Sequence, residues 1–333
     1  MKLNNNITDV RGIEVGHAHT LRGITGCTVI LCTGGAVGGV DQRGGAPGTR
    51  ETDALHPMHL VNVVHAIVLA GGSAFGLEAA SGAVKFLEEK RIGFDVGVAR
   101  VPIVPAAILF DLGLGQSNVR PDAKMGYQAC LNAKRGKMIE GNVGAGMGAT
   151  VGKILGIKHA MKSGLGSASM SIGKEVIVAA IVAVNAFGDV IDPETSQIVA
   201  GARSAQPKRS RKLFIPYFAD TMSIMKRSTL PGFARRSRSN TVIGVVATNA
   251  KFNKEQINTV AQMAQDGIAR TIRPAHTMVD GDTLFALATG EKKADVNVVG
   301  AFAAEVVAQA ILNGVRAARS IAGLPAWIDR PSP

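Results

Sequence analysis

The run Ser239-Asn240-Thr241-Val-Ile-Gly-Val-Val-Ala-Thr248 places a hydroxyl where a long polar, basic segment gives way to an apolar one. From Thr241 on the residues are β-branched and apolar at successive positions, which suits a strand buried on both faces. A loop therefore delivers Thr241 to a strand's first position, with scaffold holding the hydroxyl on one side and the preceding peptide bond accessible on the other. Were the Asn240–Thr241 bond cut, Thr241 would carry a hydroxyl and a free α-amine together. An amine with a pKa of about 7.7 to 8.0 can serve that hydroxyl as general base. The same pattern also describes an ordinary loop-to-strand junction, and this stretch alone does not separate the two.

Other groups along the chain could do chemistry. Gly71-Gly72-Ser73-Ala74-Phe75-Gly76 resembles a nucleophile elbow, which would make Ser73 the nucleophile of a serine hydrolase, but Phe75 stands where that turn needs glycine. A helix N-cap is the simpler role for Ser73. Gly141-Asn-Val-Gly-Ala-Gly-Met-Gly-Ala-Thr-Val-Gly152-Lys153 has the look of a phosphate loop, yet Met147 and Ile154 occupy positions a Walker A loop gives to glycine and Ser or Thr. The Gly144–Ala149 match to a dinucleotide fingerprint has no apolar strand before it. These glycines are expected instead to allow close backbone packing that fixes Lys153. Asn185 ends an apolar run, where its amide either caps a turn or donates to an oxyanion. Asp280-Gly281-Asp282 either closes a turn or orients an ammonium group or cation. His17-x-His19 and His56-x-x-His59 lack Cys or acid partners nearby, so no metal site is expected.

Positioning these groups takes alternating strands and helices. Ile24–Cys32 and His65–Gly71 read as strands, and the second leads through a glycine turn to a helix from about Ala74 to Lys90, with Leu77, Ala80, Val84 and Leu87 on one face. Gly34–Gly48 reads as a loop whose Asp41 and Arg43 could line a site. Val101–Asp111 holds prolines in an apolar run, which suits an edge or irregular strand able to wall a pocket. Glu175–Asn185 reads as a central strand. Asn253-Lys-Glu-Gln256 is a capping-box start to a helix carrying Ile257, Val260, Ala261, Ala264 and Ile268 as its stripe. Arg270–Thr277 reads as a loop, Asn297–Arg319 as the final helix, and Pro325–Pro333 as a tail.

Composition bounds the function. With 333 residues the chain can bury one large core, and 40 glycines beside 4% aromatics suggest many tight turns and close backbone approaches. The N-terminus lacks a signal peptide's apolar core, and the longest apolar run, Val176–Val184, is too short to cross a bilayer, so neither secretion nor a membrane partner is expected. Cys27, Cys32 and Cys130 form no C-x-x-C pair and read as free thiols in a reducing, cytoplasmic setting. Residues 203–238 hold ten Lys or Arg against Asp220 alone, nine of the net +12. An excess confined to one segment that lacks the regular aromatic interleaving of a stacking surface argues against a nucleic-acid partner and reads as an extended surface connection.

Six segments in this order resemble the L-aminopeptidase/D-esterase family, which includes β-aminopeptidases and the nylon-oligomer hydrolase: Ile7-Thr-Asp-Val-Arg-Gly-Ile-Glu-Val-Gly-His17, Arg43-Gly-Gly-Ala-Pro-Gly-Thr49, Leu69–Gly76, Gly144–Lys153, Asn240-Thr241 and Asp280-Gly-Asp-Thr-Leu-Phe285. The resemblance implies a single α/β domain built as a four-layer αββα sandwich of the N-terminal-nucleophile type. It implies a precursor that cuts itself before its nucleophile into an α chain 1–240 and a β chain 241–333, which stay associated in homo-oligomers of αβ units. It carries the nucleophile onto Thr241, with Lys153, Asn185, Asp280 and Asp282 as its catalytic partners. Thr in place of Ser sides with the nylon-oligomer branch, and Phe110 stands where that branch has a substrate-site tyrosine. The implied activity is hydrolysis of small peptides, amides or esters with a free amino terminus, and it requires no cofactor.

Overall fold

The structure is a computed structural model that describes residues 3–204, 217–227 and 240–330. The elements that position the site are β1 (Glu14–Thr20), β2 (Thr25–Gln42), β3 (Val63–Ala70), α1 (Ala79–Glu89), β4 (Ala106–Ile108), α2 (Ala123–Leu131), β5 (Leu165–Ile172), β6 (Val176–Asn185), α3 (Thr221–Lys226), β7 (Thr241–Ala250), α4 (Lys254–Thr271), β8 (Thr283–Lys292) and α5 (Val296–Ala317). Hydrogen bonding runs in the order β5-β6-β7-β8-β2-β3-β4, with β1 on the free side of the first half of β2. The pairs are antiparallel except β7 with β8 and β3 with β4.

β2 is where one ladder becomes two sheets. Its first half pairs with β1 and β3, its second half from Val37 to Gln42 pairs with β8, and the register to β3 shifts between Leu31 and Ala36. Such an irregularity bends a strand and turns its ends to different neighbours. Side-chain alternation then builds the layers. On β3, Ile67 and Leu69 face the opposite sheet while Ala66, Val68 and Ala70 face α1 and α2. On β7, Ile243, Val245 and Ala247 face the inter-sheet core, while Val242 and Val246 face α4 and α5. The layers are therefore α1/α2, sheet, sheet, α4/α5, the αββα sandwich that the resemblance implied. Each large apolar side chain buried this way contributes about 1.5 to 3 kcal/mol.

Several expectations need correction. The Gly34–Gly48 loop is strand as far as Gln42. Gly38 and Gly39 serve close packing there: a Cβ on Gly39 would come within 2.8 Å of the Asn258 nitrogen and the Ile257 carbonyl carbon, so α4 rests directly on the strand. The helix expected from Ala74 begins as a 3-10 turn, Ser73–Glu78, before α1. Ser73 is not its cap, because a cap needs extended backbone and Ser73 has φ +55. Finally, the basic segment is not simply extended where it is described. Ala202–Ser204 and Tyr217–Ala219 hydrogen-bond to each other, and α3 follows, capped by Asp220. The Asp189 carboxylate accepts from the N–H groups of Ala202 and Thr221, at 2.8 and 2.6 Å, and so clasps both flanks. The expectation about nucleic acid falls mostly on residues outside the described ones.

The expected Arg270–Thr277 loop is helix to Thr271 and a short strand at Ile272–Arg273, and the expected tail holds a 3-10 turn at Trp327–Asp329, whereas other elements agree with expectation. The Asn253/Gln256 capping box opens α4, and all three cysteines are free and buried. α5 is long and apolar enough by composition to cross a bilayer; here it packs on β5, β6 and α4, with 67% of its most apolar window buried.

Candidate active site

Thr241 opens β7 directly across from Asn185, the last residue of β6, and both are buried. On the other side β8 starts at Thr283, in register with Ile243, so the Asp280-Gly281-Asp282 turn that feeds β8 lies beside the start of β7. Asp282 Oδ1 accepts the Val242 N–H at 2.8 Å. Its Oδ2 accepts the His276 N–H at 3.1 Å and lies 2.8 Å from His276 Nδ1. Asp280 Oδ2 accepts from the Thr277 N–H at 3.0 Å and the Thr277 hydroxyl at 2.5 Å, while Oδ1 has a longer 3.4 Å contact with the Phe187 N–H. The Thr241 hydroxyl donates to the carbonyl oxygen of Asn240, whose side chain donates to Val279 O at 3.3 Å.

The glycine-rich stretch supplies the lysine. Gly152 N–H bonds to Gly188 O and Lys153 N–H to Phe187 O, each at 3.0 Å. Gly152 has φ +71, and a Cβ there would sit 2.0 Å from the Ala202 nitrogen, so only glycine permits this approach. The Lys153 ammonium is thereby buried and donates to Asn185 O at 2.9 Å and Asn185 Oδ1 at 2.8 Å. Thr150 N–H reaches the same Oδ1 at 3.1 Å. With Oδ1 taken by two donors, Nδ2 is the donating end of the amide, and it meets Phe110 O at 3.1 Å.

Burial sets the charges of this cluster. It pulls the Lys153 ammonium down to about 7, against the attraction of Asp280, Asp111 and Asp282. Burial, helped by the negative charge of Asp282, raises Asp280 to about 6. A second buried pair lies behind the first. Lys162, held by Gly146 O and Ala149 O at 3.0 Å each and by Ser163 O, also falls to about 7, and Asp111, which accepts the Gly72 N–H at 2.7 Å, rises to about 6. A hydroxyl, an oriented amide and ionisable groups that titrate near neutrality form the equipment of acyl transfer to a side-chain oxygen.

The sequence profile of peptidase family S58 matches residues 5–326. The chain belongs to peptidase family S58. It is similar to an uncharacterized aminopeptidase of Mycobacterium leprae (strain TN), 41% identical over 97% of this chain and 93% of that protein. It is also similar to the 6-aminohexanoate-oligomer endohydrolase of Kocuria sp. (strain KY2), 32% identical over 92% of this chain and 85% of that protein. In fold it resembles the L-aminopeptidase D-Ala-esterase/amidase of Ochrobactrum anthropi, a variant of the Ntn-hydrolase fold. That likeness has a TM-score of 0.69 at 19% identity and covers 95% of this chain and 86% of that one. This S58 member is a hydrolase acting on amide bonds.

Within the S58 framework, Thr241, Asn240, Asn185, Lys153, Asp280 and Asp282 come together, although far apart in sequence. Phe110 enters through its carbonyl oxygen, the acceptor for Asn185. Ser73 gives its N–H to Leu109 O, and among the described residues no histidine or carboxylate bonds its hydroxyl. Among the described residues, neither histidine pair belongs to a cluster of three or more metal-ligating groups. Sequence reading missed His276, Thr277, Lys162 and Asp111. His276 and Thr277 lie within six residues of the acids they bond, in a stretch that reads as plain loop. Nothing in the sequence marks Lys162 and Asp111 as buried.

Proposed function

We propose that this chain is the precursor of an N-terminal-threonine amidohydrolase, which cuts itself between Asn240 and Thr241 and then acts on small amides, peptides or esters with a free amino terminus. The observation that carries the reading is the Thr241 hydroxyl lying on the carbonyl of Asn240, inside the buried set of Lys153, Asn185, Asp280 and Asp282. In the precursor that hydroxyl attacks the Asn240 carbonyl carbon, the peptide nitrogen leaves as the α-amine of Thr241, and water hydrolyses the resulting ester. The products are an α chain 1–240 and a β chain 241–333, paired in one domain and assembling as homo-oligomers of αβ units.

In the mature enzyme Thr241 Oγ attacks the substrate carbonyl. The new α-amine takes the hydroxyl proton and returns it to the leaving amine. Asn185 Nδ2 is the donor for the oxyanion, a role worth about 2.7 to 4 kcal/mol. Lys153 fixes the amide in that orientation and, when charged, keeps the nearby α-amine neutral by like-charge repulsion. Asp282 holds the Val242 N–H and with it the nucleophile's backbone. Asp280, whose Oδ1 has only the long Phe187 contact among the described residues, is the acceptor for the substrate's ammonium end. The name of one relative, an aminopeptidase, fits a substrate held by its amino end, while that of the other, an endohydrolase for 6-aminohexanoate oligomers, supports amide hydrolysis without requiring that end.

Mass spectrometry of freshly purified protein tests the core of the reading. Fragments of 240 and 93 residues are expected, the second being 333 less 240, and Thr241→Ala should remain one chain without turnover. An intact chain with full amidase activity would overturn the mechanism.

A further inference from the structure

One loop residue outside the set discussed so far is tied to the nucleophile's backbone through a single carboxylate. Asp282 uses one oxygen for the Val242 N–H, the peptide group that joins Thr241 to the rest of β7, and the other for His276, both its N–H and its ring. Because both carboxylate oxygens accept backbone N–H groups, the hydrogen between carboxylate and ring is assigned to Nδ1. That leaves His276 Nε2, which is buried and has no hydrogen-bond partner among the described residues. The residue also holds φ +55, in the left-handed region where residues bearing a Cβ are uncommon. A positive φ and an orphaned ring nitrogen both count against stability. Glycine would suit that backbone better, so what histidine adds at this position is its ring bond to Asp282.

We propose that His276 is a positioning residue of the reaction: by fixing Asp282 it fixes the Val242 N–H, and hence the direction in which Thr241 presents its hydroxyl. The inference rests on Thr241 being the nucleophile. A carboxylate bonded only to Val242 N–H can turn about its terminal torsion, which is broad and soft. Two bonds to the second oxygen remove that freedom, the backbone N–H at 3.1 Å and the shorter ring bond at 2.8 Å, of which only the ring bond depends on histidine. The lever is short, since the N–H being held lies one peptide unit from the hydroxyl. A misplacement of about 1 Å at a reacting group is enough to slow a reaction on the order of a hundredfold.

The test compares His276→Gly, His276→Asn and Thr241→Ala in the full chain, reading kcat and KM on a small amide together with Tm. Glycine removes the ring and accepts the left-handed backbone without strain. Asparagine also tolerates that backbone and carries an amide N–H at the place of Nδ1. His276→Gly is expected to keep its Tm and lose roughly ten- to a hundredfold in kcat with KM little changed, the loss of one bond to a charged group. His276→Asn is expected to recover most of that loss. A glycine variant as fast as wild type, an asparagine variant as slow as glycine, or a loss carried by KM alone would each overturn the assignment. Should the glycine variant fail to fold, His276→Ala gives the same comparison with asparagine. Thr241→Ala separates the two levels: an active Thr241→Ala refutes the nucleophile itself, whereas an inactive one beside an unimpaired His276→Gly refutes only the positioning role.

Discussion

Replacing Lys153 by methionine should stabilise the fold near pH 6 and lose that advantage as the solution turns alkaline. Burial moves the Lys153 ammonium from 10.5 to about 7, and each unit corresponds to about 1.4 kcal/mol, so the protonated side chain costs the folded state about 5 kcal/mol below pH 7. Between pH 7 and 10.5 the unfolded chain keeps a proton that the folded chain has released, and stability then rises with pH by about 1.4 kcal/mol per unit. Above 10.5 both states are neutral and the penalty is gone. Methionine has no such proton, but its removal of the two bonds to Asn185 leaves the backbone oxygen less well met and costs about 1 to 3 kcal/mol at every pH. The net expectation is a gain of roughly 2 to 4 kcal/mol at pH 6 that shrinks and changes sign toward pH 10. The comparison belongs in the Thr241→Ala background, so that both proteins have the same uncut chain. Urea unfolding at pH 6, 8 and 9.5 reads it directly, and Lys162, present in both, cancels. Parallel stability curves for the two proteins would refute the buried-ammonium argument, and full turnover by Lys153→Met in the chain that keeps Thr241 would refute the role of Lys153.

Two further outcomes follow from the same cluster. Burial and Asp282 raise Asp280 to about 6, so turnover that needs its carboxylate should fall as pH drops through about 6, and Asp280→Asn should flatten that limb while lowering the plateau; a limb unchanged in the variant would belong to another group. On substrates, N-acetylation should lower kcat/KM, because a desolvated carboxylate left without its ammonium partner is worth roughly 3 to 5 kcal/mol, less if the site is wet. A panel of p-nitroanilides of α- and β-amino acids beside a linear aminohexanoate oligomer, each free and acetylated, measures it, and equal rates would remove the role given to Asp280.

What the sequence showed well was anything carried by local pattern. The strand at Thr241, the central strand ending at Asn185 and the Asn253 capping box all have periodicity or cap chemistry of their own. The pairing of Asn185 with Thr241 has no local signal, since it joins residues 56 positions apart; only the family resemblance, which assigns both a catalytic role, pointed to it. Gly38 and Gly39 misled the reading, because a glycine that admits a helix against a strand looks the same in sequence as one that makes a turn. His276 escaped for a related reason. Its importance lies in which carboxylate its ring reaches, and a loop composition does not encode that.

Charge shows most clearly how counting differs from placing. The formal +12 counts Lys153 and Lys162 as surface cations, whereas both are buried and titrate at about 7. Arg203 spends its guanidinium on the carbonyl oxygens of Ala160 and Lys158. Seven of the ten basic residues of 203–238 lie outside the described residues, so the basic excess makes no case for a charged groove on the fold that is seen. The cation that the proposed mechanism uses, Lys153, is one of the two that burial has made weak. An ammonium titrating near neutrality can hold Asn185 in place by hydrogen bonds in either protonation state, and in its charged state it disfavours a second cation beside it. Where Thr241 uses its own amine as base, the charged form of Lys153 is what keeps that amine neutral, and burial makes this form the minor one above about pH 7.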